Sequence, residues 1–267
     1  MELFFLKLGI GALLLSLLLA LYSFVVYFFR LAFLSIAVSH AVLAGLAIGI
    51  FLGVDPTLSA LIFSLIVGWL IAFLKRKTGL TEDASIGIVL ALSMAVGIIL
   101  IYLSGYQGNV FSYLFGSLVT LSWWDNLMLL LLLAISSLFL FKFREQILFL
   151  CFDEETAYSG GVNTDLLYYT LIGFLSFLIT LATKLVGVLL THAMLVIPTA
   201  AAYQLVWHYP ELITLSAFVS VISTFGGLAV AYFLNLPTGP SIVVVGGALF
   251  LFVRLLRFVG KRVHADG

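Results

Sequence analysis

The stretch Arg30 to Pro56, RLAFLSIAVSHAVLAGLAIGIFLGVDP, decides how the rest of the chain is read. Its apolar run is long enough to cross a ~30 Å hydrocarbon core as one helix. Near its middle stand Ser39, His40 and Ala41. From His40 outward the small residues Ala41, Gly45, Gly49 and Gly53 recur at every fourth position, and Ala37 extends the row inward. At helical spacing they form a flat stripe, which in lipid lets a second helix approach closely. The imidazole beside it sits where an ionisable group is costly and by default functional. The expectation is a polar site beside a tight helix contact.

Composition extends this reading to the whole chain. With 64% hydrophobic and 9% charged residues over 267 positions, the sequence is far from a soluble domain, whose apolar share is about 45–50% and charged share about 25%. It is read as an all-α, polytopic membrane protein, a single transmembrane domain over 1–267 with no soluble domain. Twelve basic residues balance twelve acidic ones, which argues against a nucleic-acid partner. The single Cys151 excludes an internal disulfide. The first apolar run, from Leu8 to Phe29, is too long for a signal h-region and has no A-x-A-like cleavage site, so it is read as a retained span.

Hydropathy places nine spans at about 8–29, 31–53, 57–74, 84–103, 125–143, 165–183, 185–206, 211–234 and 241–257. The apolar segment 108–121 is short for a crossing and fits a re-entrant or interfacial helix. Putting Arg30, Lys75, Arg76, Lys77, Lys142, Arg144, Arg254, Arg257, Lys261 and Arg262 on the cytoplasmic side leaves only Lys7 and Lys184 outside, as the positive-inside rule asks. The N-terminus is then outside and the C-terminus inside. Trp123 and Trp124 fall at the outer boundary, where interfacial aromatics belong.

Two of the three cytoplasmic connections carry readable structure. Thr81, Glu82 and Asp83 read as a helix start with acids at the positive dipole end. The longest hydrophilic stretch, at about 152–165, contains Asp153, Glu154, Glu155, Thr156, Ala157, Tyr158, Ser159, Gly160 and Gly161; a short acidic helix ended by glycines fits it. The chain contains neither G-x-x-x-x-G-K-[ST] nor H-E-x-x-H, so any ATP chemistry belongs to a partner.

At ~1.5 Å per residue, His40 lies about 15 Å from the inner end of its span and His192 about 11 Å below the outer surface. Neutral imidazole is a common metal ligand. Pro198, in the same span as Thr191 and His192, breaks a backbone hydrogen bond, as membrane helices tolerate beside cavities. Ser39, Thr191 and Pro198 are therefore expected to line a route, with His40 and His192 as metal ligands. Both histidines also fit a bland role, hydrogen-bonded within the bundle. No carboxylate stands near a span centre, so a bare dication would be bound weakly and briefly, as conduction requires. Gly226, Gly227, Gly246 and Gly247 are read as helix packing, and Met94, Met194 and Cys151 as filler.

Six blocks then occur in order: Ser39, His40, Ala41 and Gly45; Glu82, Asp83, Ile86, Gly87 and Ile88; Tyr113, Leu114, Phe115 and Gly116; Asp153, Glu155, Ala157 and Gly161; Val186, Gly187, Pro198 and Ala200; and Leu236 to Pro240. Over nearly its full length the chain resembles the permease subunit of the zinc/manganese/iron family of ABC importers. The resemblance implies a non-enzymatic permease of a prokaryotic inner or plasma membrane. It implies a permease that dimerises, as a homodimer or with a sister chain, docks two cytoplasmic ABC ATPases and receives its metal from an extracytoplasmic solute-binding protein, with no permanent cofactor. By similarity Asp153, Glu155, Ala157 and Gly161 belong to the coupling helix that fits into the ATPase, and His40 matches the metal-route histidine. By the same resemblance the family usually has Asp four residues before that histidine, where this chain has Ile36. The expectation is that His40 and His192 replace that acid with neutral nitrogens, a set that favours zinc over manganese. Manganese, iron or a chelated metal is the alternative cargo. An intramembrane metal-dependent enzyme is the rival class, and it would need a third ligand or a base at that depth.

Overall fold

The computed structural model describes residues 2–105, 116 and 118–263, with side chains described as far as 258. Eleven α-helices occur among them: α1 (Glu2–Phe28), α2 (Ala32–Leu52), α3 (Pro56–Thr78), α4 (Glu82–Ser104), α5 (Trp123–Lys142), α6 (Arg144–Phe152), α7 (Glu154–Ser159), α8 (Thr164–Val186), α9 (Val188–Ala202), α10 (Tyr209–Leu234) and α11 (Thr238–Val263). No strand occurs among the described residues. In hydrocarbon a helix satisfies its backbone within one segment, and eight helices are long and apolar enough to cross: α1 to α5, α8, α10 and α11. The protein is a multi-span, all-helical membrane protein.

Most expected spans are found within a few residues of their predicted ends. The seventh differs. Lys184, expected between spans, lies in the last turn of α8, where a cation favours the negative helix end. Gly187, at φ 90° and ψ 164°, then breaks the chain, and α9 runs only 15 residues. That is about 22 Å of helix, short of a full crossing. A nine-residue helix, α6, occupies 144–152, where no element was expected. Of the segment 108–121, only 116 and 118–121 are among the described residues, with a 3-10 turn over Leu118–Thr120; the expected re-entrant helix otherwise lies outside them.

The helix starts follow from capping chemistry. Asp55 accepts the Leu58 N–H at 2.8 Å ahead of Pro56, and Thr81 accepts from Ala84 at 3.3 Å, as its Thr-Glu-Asp sequence predicts. Asn163 opens α8 by accepting from Leu166 at 3.0 Å. Each side chain satisfies one of the donors a helix start leaves unpaired.

The chain divides into two compact units. One comprises Met1–Phe28, Ser117–Ser137 and Leu189–Gly267, the other Phe29–Gly116 and Leu138–Val188. In the second, α2 packs on α3, α4 and α8, and 72% of its most apolar stretch is buried against 22% for α4. The small-residue stripe explains this central place. A Cβ at Gly45 would stand 2.5 Å from the Ala60 Cα, and one at Gly49 2.6 Å from the Pro56 Cα, so the backbones of α2 and α3 touch. Ala37 and Ala41 are fully buried. Gly53, expected in the same packing row, has nothing near it. At φ 68° it is instead the left-handed cap of α2, its N–H turned back to Gly49 and Ile50, a conformation glycine adopts without steric cost.

In the first unit α10 packs on α1 and α11. Gly227 abuts the Ile242 backbone and Gly246 meets Ser223. A Cβ at Gly226 would come within 3.3 Å of Val245, whereas Gly247 faces open space, so Gly247 does not serve the packing expected of it. Buried hydroxyls reinforce the contacts, with Ser220 donating to the Ser16 carbonyl at 2.8 Å.

Gly45→Ala is expected to destabilise the protein by about 1–3 kcal/mol, the usual scale of an overpacked site. Gly9→Ala, where nothing lies within 4 Å, is expected to cost nothing. Thermal unfolding of the detergent-solubilised variants checks the pair.

Candidate functional site

His40 stands on the central helix of its unit with its neighbours committed to packing. Ser39 is buried and shares a 2.8 Å hydrogen bond with Thr183 of α8. Ala41 is buried as well. The His40 ring is half-buried, and its Nδ1 lies 2.9 Å from the Ile36 carbonyl. A carbonyl only accepts, so Nδ1 carries a proton, and in the neutral ring it is Nε2 that presents a lone pair. This is how metal-ligating histidines are commonly held, the second ring nitrogen donating to a backbone oxygen that fixes tautomer and orientation. Ser39, expected to line a route, has its hydroxyl engaged with Thr183.

The residues expected on the seventh span lie on α9, in the other unit. Thr191 is fully buried and His192 half-buried. Pro198 is buried inside the helix. The amide of Thr199, next in the chain, donates to Ser23 Oγ of α1 at 3.1 Å, and the Thr199 hydroxyl meets Ser216 of α10 at 3.1 Å. The irregularity at the proline is thus surrounded by polar partners from two neighbouring helices, as a broken membrane helix requires. The sequence reading named Pro198 but not Ser23, Thr199 or Ser216; their polarity within apolar runs was the available signal.

The expected acidic helix is α7. Asp153 caps it, accepting from the Thr156 amide at 3.0 Å and from the Thr156 hydroxyl. These hydrogen bonds hold the Asp153 carboxyl below its ordinary range. Ala157 is buried and anchors the helix, while Glu155 is exposed. Gly161, at φ 83°, turns the chain back so that Val162 N–H reaches the Ala157 carbonyl at 3.1 Å. Just before α7, burial and then the nearby Glu82 charge push the Cys151 thiol up to about 12, so it stays protonated and unreactive.

Around α7 the structure assembles a group the sequence reading missed. Arg76, at the end of α3, pairs with Glu154 of α7 and lies 3.5 Å from Asp165 of α8. Its guanidinium carbon is 4.5 Å from the centre of the Tyr168 ring. Lys75 pairs with Glu82 of α4 and lies 4.8 Å over the same ring. In the sequence these cations served only to orient the chain.

Among the described residues no three His, Cys, Asp or Glu side chains come together to hold a metal ion. A cavity of about 540 Å³ between α2, α3 and α8 is lined by Val42, Leu46, Asp55, Leu58, Thr180 and Lys184, among others. It is mainly apolar and contains neither histidine.

Eight helices long and apolar enough to cross, with a shorter apolar helix bearing a histidine, make this a polytopic membrane protein. The chain belongs to the ABC 3 transport family, whose profile matches residues 2–257, and it is a metal ABC transporter permease. It is 34% identical over 250 residues to a Thermotoga maritima protein named "Probable metal transport system membrane protein", covering 93% of this chain and 88% of that one. It is 31% identical over 219 residues to the manganese transport system membrane protein MntB of Synechocystis, covering 82% and 72%. Its fold matches a chain of the structure of PsaBC from Streptococcus pneumoniae in complex with Fab, at a TM-score of 0.79 and 28% identity, over 94% and 90% of the two chains.

The Asp153 cap carries a signed pH dependence. A carboxyl held below its ordinary range contributes stability that is complete above the unfolded-state value and is lost as pH falls through the lowered folded value. The Thr156 amide is therefore expected to keep its hydrogen-exchange protection between pH 7 and pH 5, once intrinsic exchange is corrected for, and to lose it in stronger acid. Asp153→Ala is expected to remove that protection already at pH 7.

Proposed function

We propose that this chain is the permease subunit of an ATP-driven importer of a divalent transition metal, and that the metal is zinc. The observation that carries the reading is the His40 imidazole, its Nδ1–H on the Ile36 carbonyl and its Nε2 left as a donor of electrons. Because Ile36 brings no carboxylate to this turn, the local ligand is a neutral nitrogen, which suits zinc better than the harder manganese ion. Binding without charge compensation is weak, as a site that must release its cargo requires. His192 on α9 is a second cation-contacting candidate in its own unit, with Thr191 beside it and Pro198 further along the same helix; Ser39 steadies the His40 turn through Thr183.

The membrane orientation follows the distribution of Lys and Arg, with the N-terminus outside and the C-terminus cytoplasmic. The Lys75, Arg76 and Lys77 end of α3 and the α7 segment are then cytoplasmic, and α7 is the coupling helix that engages a separate ABC ATPase through Asp153, Glu155, Ala157 and Gly161. An extracytoplasmic solute-binding protein delivers the metal, and a second permease copy completes the transporter. The chain itself carries out no hydrolysis.

Manganese is the second reading, favoured by relatives named as manganese transport membrane proteins in Synechocystis and Listeria monocytogenes. Uptake of radiolabelled zinc and manganese by the assembled transporter separates the two. His40→Ala is expected to lower zinc uptake at least tenfold, the scale of losing a bound ligand or its support. His192→Ala is expected to lower it less. Unchanged zinc uptake in both variants would overturn the assignment of these residues, and faster manganese than zinc uptake by the natural chain would overturn the choice of metal. Ile36→Asp is expected to shift preference toward manganese, because it restores an oxygen ligand one turn from His40.

A further inference from the structure

Arg76 is built into the protein more deeply than a topological charge needs to be. Only 12% of its side chain is exposed, although it sits in a Lys-Arg-Lys run whose last member, Lys77, is 57% exposed. Its guanidinium reaches two elements beyond its own. It pairs with Glu154 on α7, approaches Asp165 at 3.5 Å on α8, and donates to the Thr164 carbonyl at 3.4 Å. Its guanidinium carbon lies over the buried Tyr168 ring, 4.5 Å from the ring centre. The buried Nε has no acceptor among the described residues, so charge pairs and the ring hold the side chain in place. Lysine cannot reproduce this, since the contact uses a planar fork and a stacking face.

The other end of α3 is equally constrained. At Pro56 and Ala60 its backbone lies against Gly49 and Gly45 of α2 with no side chain between them, and α2 carries His40 on its next inward turns. Further along, Ser64 of α3 is hydrogen-bonded to Thr180 of α8 at 2.6 Å. α3 is therefore a stiff member, clamped to α7 by Arg76 at one end and pressed on the histidine helix at the other. Packed elements of this kind shift between discrete arrangements and do not deform continuously.

We infer that Arg76, through its pair with Glu154 and its seat on Tyr168, is the positioning residue that makes α3 move with α7, so that displacement of α7 reaches the His40 helix. The inference rests on the reading of α7 as the ATPase-coupling helix. The contacts of Arg76 described above all lie on α7 and α8. Arg76 acts through α3.

The test uses the full transporter reconstituted with its ATPase in proteoliposomes, with Arg76→Lys and Glu154→Gln as variants. Glu154 lies on a six-residue surface helix and its side chain is 45% exposed, so its replacement does not threaten the fold. The expected result is that both variants still bind the ATPase and hydrolyse ATP at the natural rate, while metal moved per ATP falls about two- to thirtyfold, the range over which coupling residues act. A role limited to anchoring the fold would lower assembly and hydrolysis together and leave that ratio unchanged; an unchanged ratio in both variants overturns the inference. Hydrogen exchange of α7 with and without the ATPase separates the coupling role of α7 from the role of Arg76. If the ATPase leaves α7 unprotected in the natural transporter, the coupling reading fails and takes this inference with it. If α7 is protected and the ratio still does not change, the role of Arg76 alone is refuted.

Discussion

The backbone contact between α2 and α3 is the constraint from which the His40 region follows. In lipid, helices gain little from hiding apolar surface from one another, and they associate through close packing and hydrogen bonds. Gly45 and Gly49 permit that approach because hydrogen is the only substituent that fits against Ala60 and Pro56. Once α2 and α3 touch, α8 is tied to both by paired hydroxyls, Ser39 with Thr183 and Ser64 with Thr180. Ser39 and Ala41 are then fixed in buried positions, and the intervening His40 is carried to the less buried side of α2. The imidazole is oriented twice over, by the packing of its neighbours and by its own turn of helix.

The same rule acts in the other unit with different residues. Gly227 brings α10 onto Ile242 of α11, and Ser220 reaches back to α1 through the Ser16 carbonyl. The proline in α9 would leave polar backbone stranded in an apolar setting. Ser23 and Ser216 converge on Thr199 instead, which turns a local defect into a joint between three helices. Serine and threonine scattered through apolar spans read as mild exceptions in composition. In the structure they mark which helices meet.

That difference explains what the sequence could and could not say. The spans were legible because a run of about twenty apolar residues has few alternatives to a crossing helix. The caps were legible too, since Asp55 before Pro56, Thr81 before two acids, and Asp153 before Glu154 each announce a start. Gly53 was misread as packing because its spacing continues the stripe. Yet Asp55-Pro56 two residues on already signalled that α2 had ended. Ser39 could not be assigned from sequence, because its partner Thr183 lies 144 residues away. Arg76 is the sharper case. Beside Lys75 and Lys77 it reads as one more orienting charge, and only the folded chain sets it on Tyr168 and against Glu154.

Ile36 acts on the turn that bears His40 in two separate ways. Its side chain is apolar and brings no negative charge to that turn. Its backbone carbonyl receives the Nδ1–H and holds the ring. The orientation of the imidazole is therefore a property of the helix, whereas the charge beside it is a property of one side chain. A change of side chain at position 36 leaves the carbonyl that holds the ring in place. An imidazole that is well placed but uncompensated discriminates by ligand softness more than by charge, and it releases a dication more readily than a carboxylate pair does.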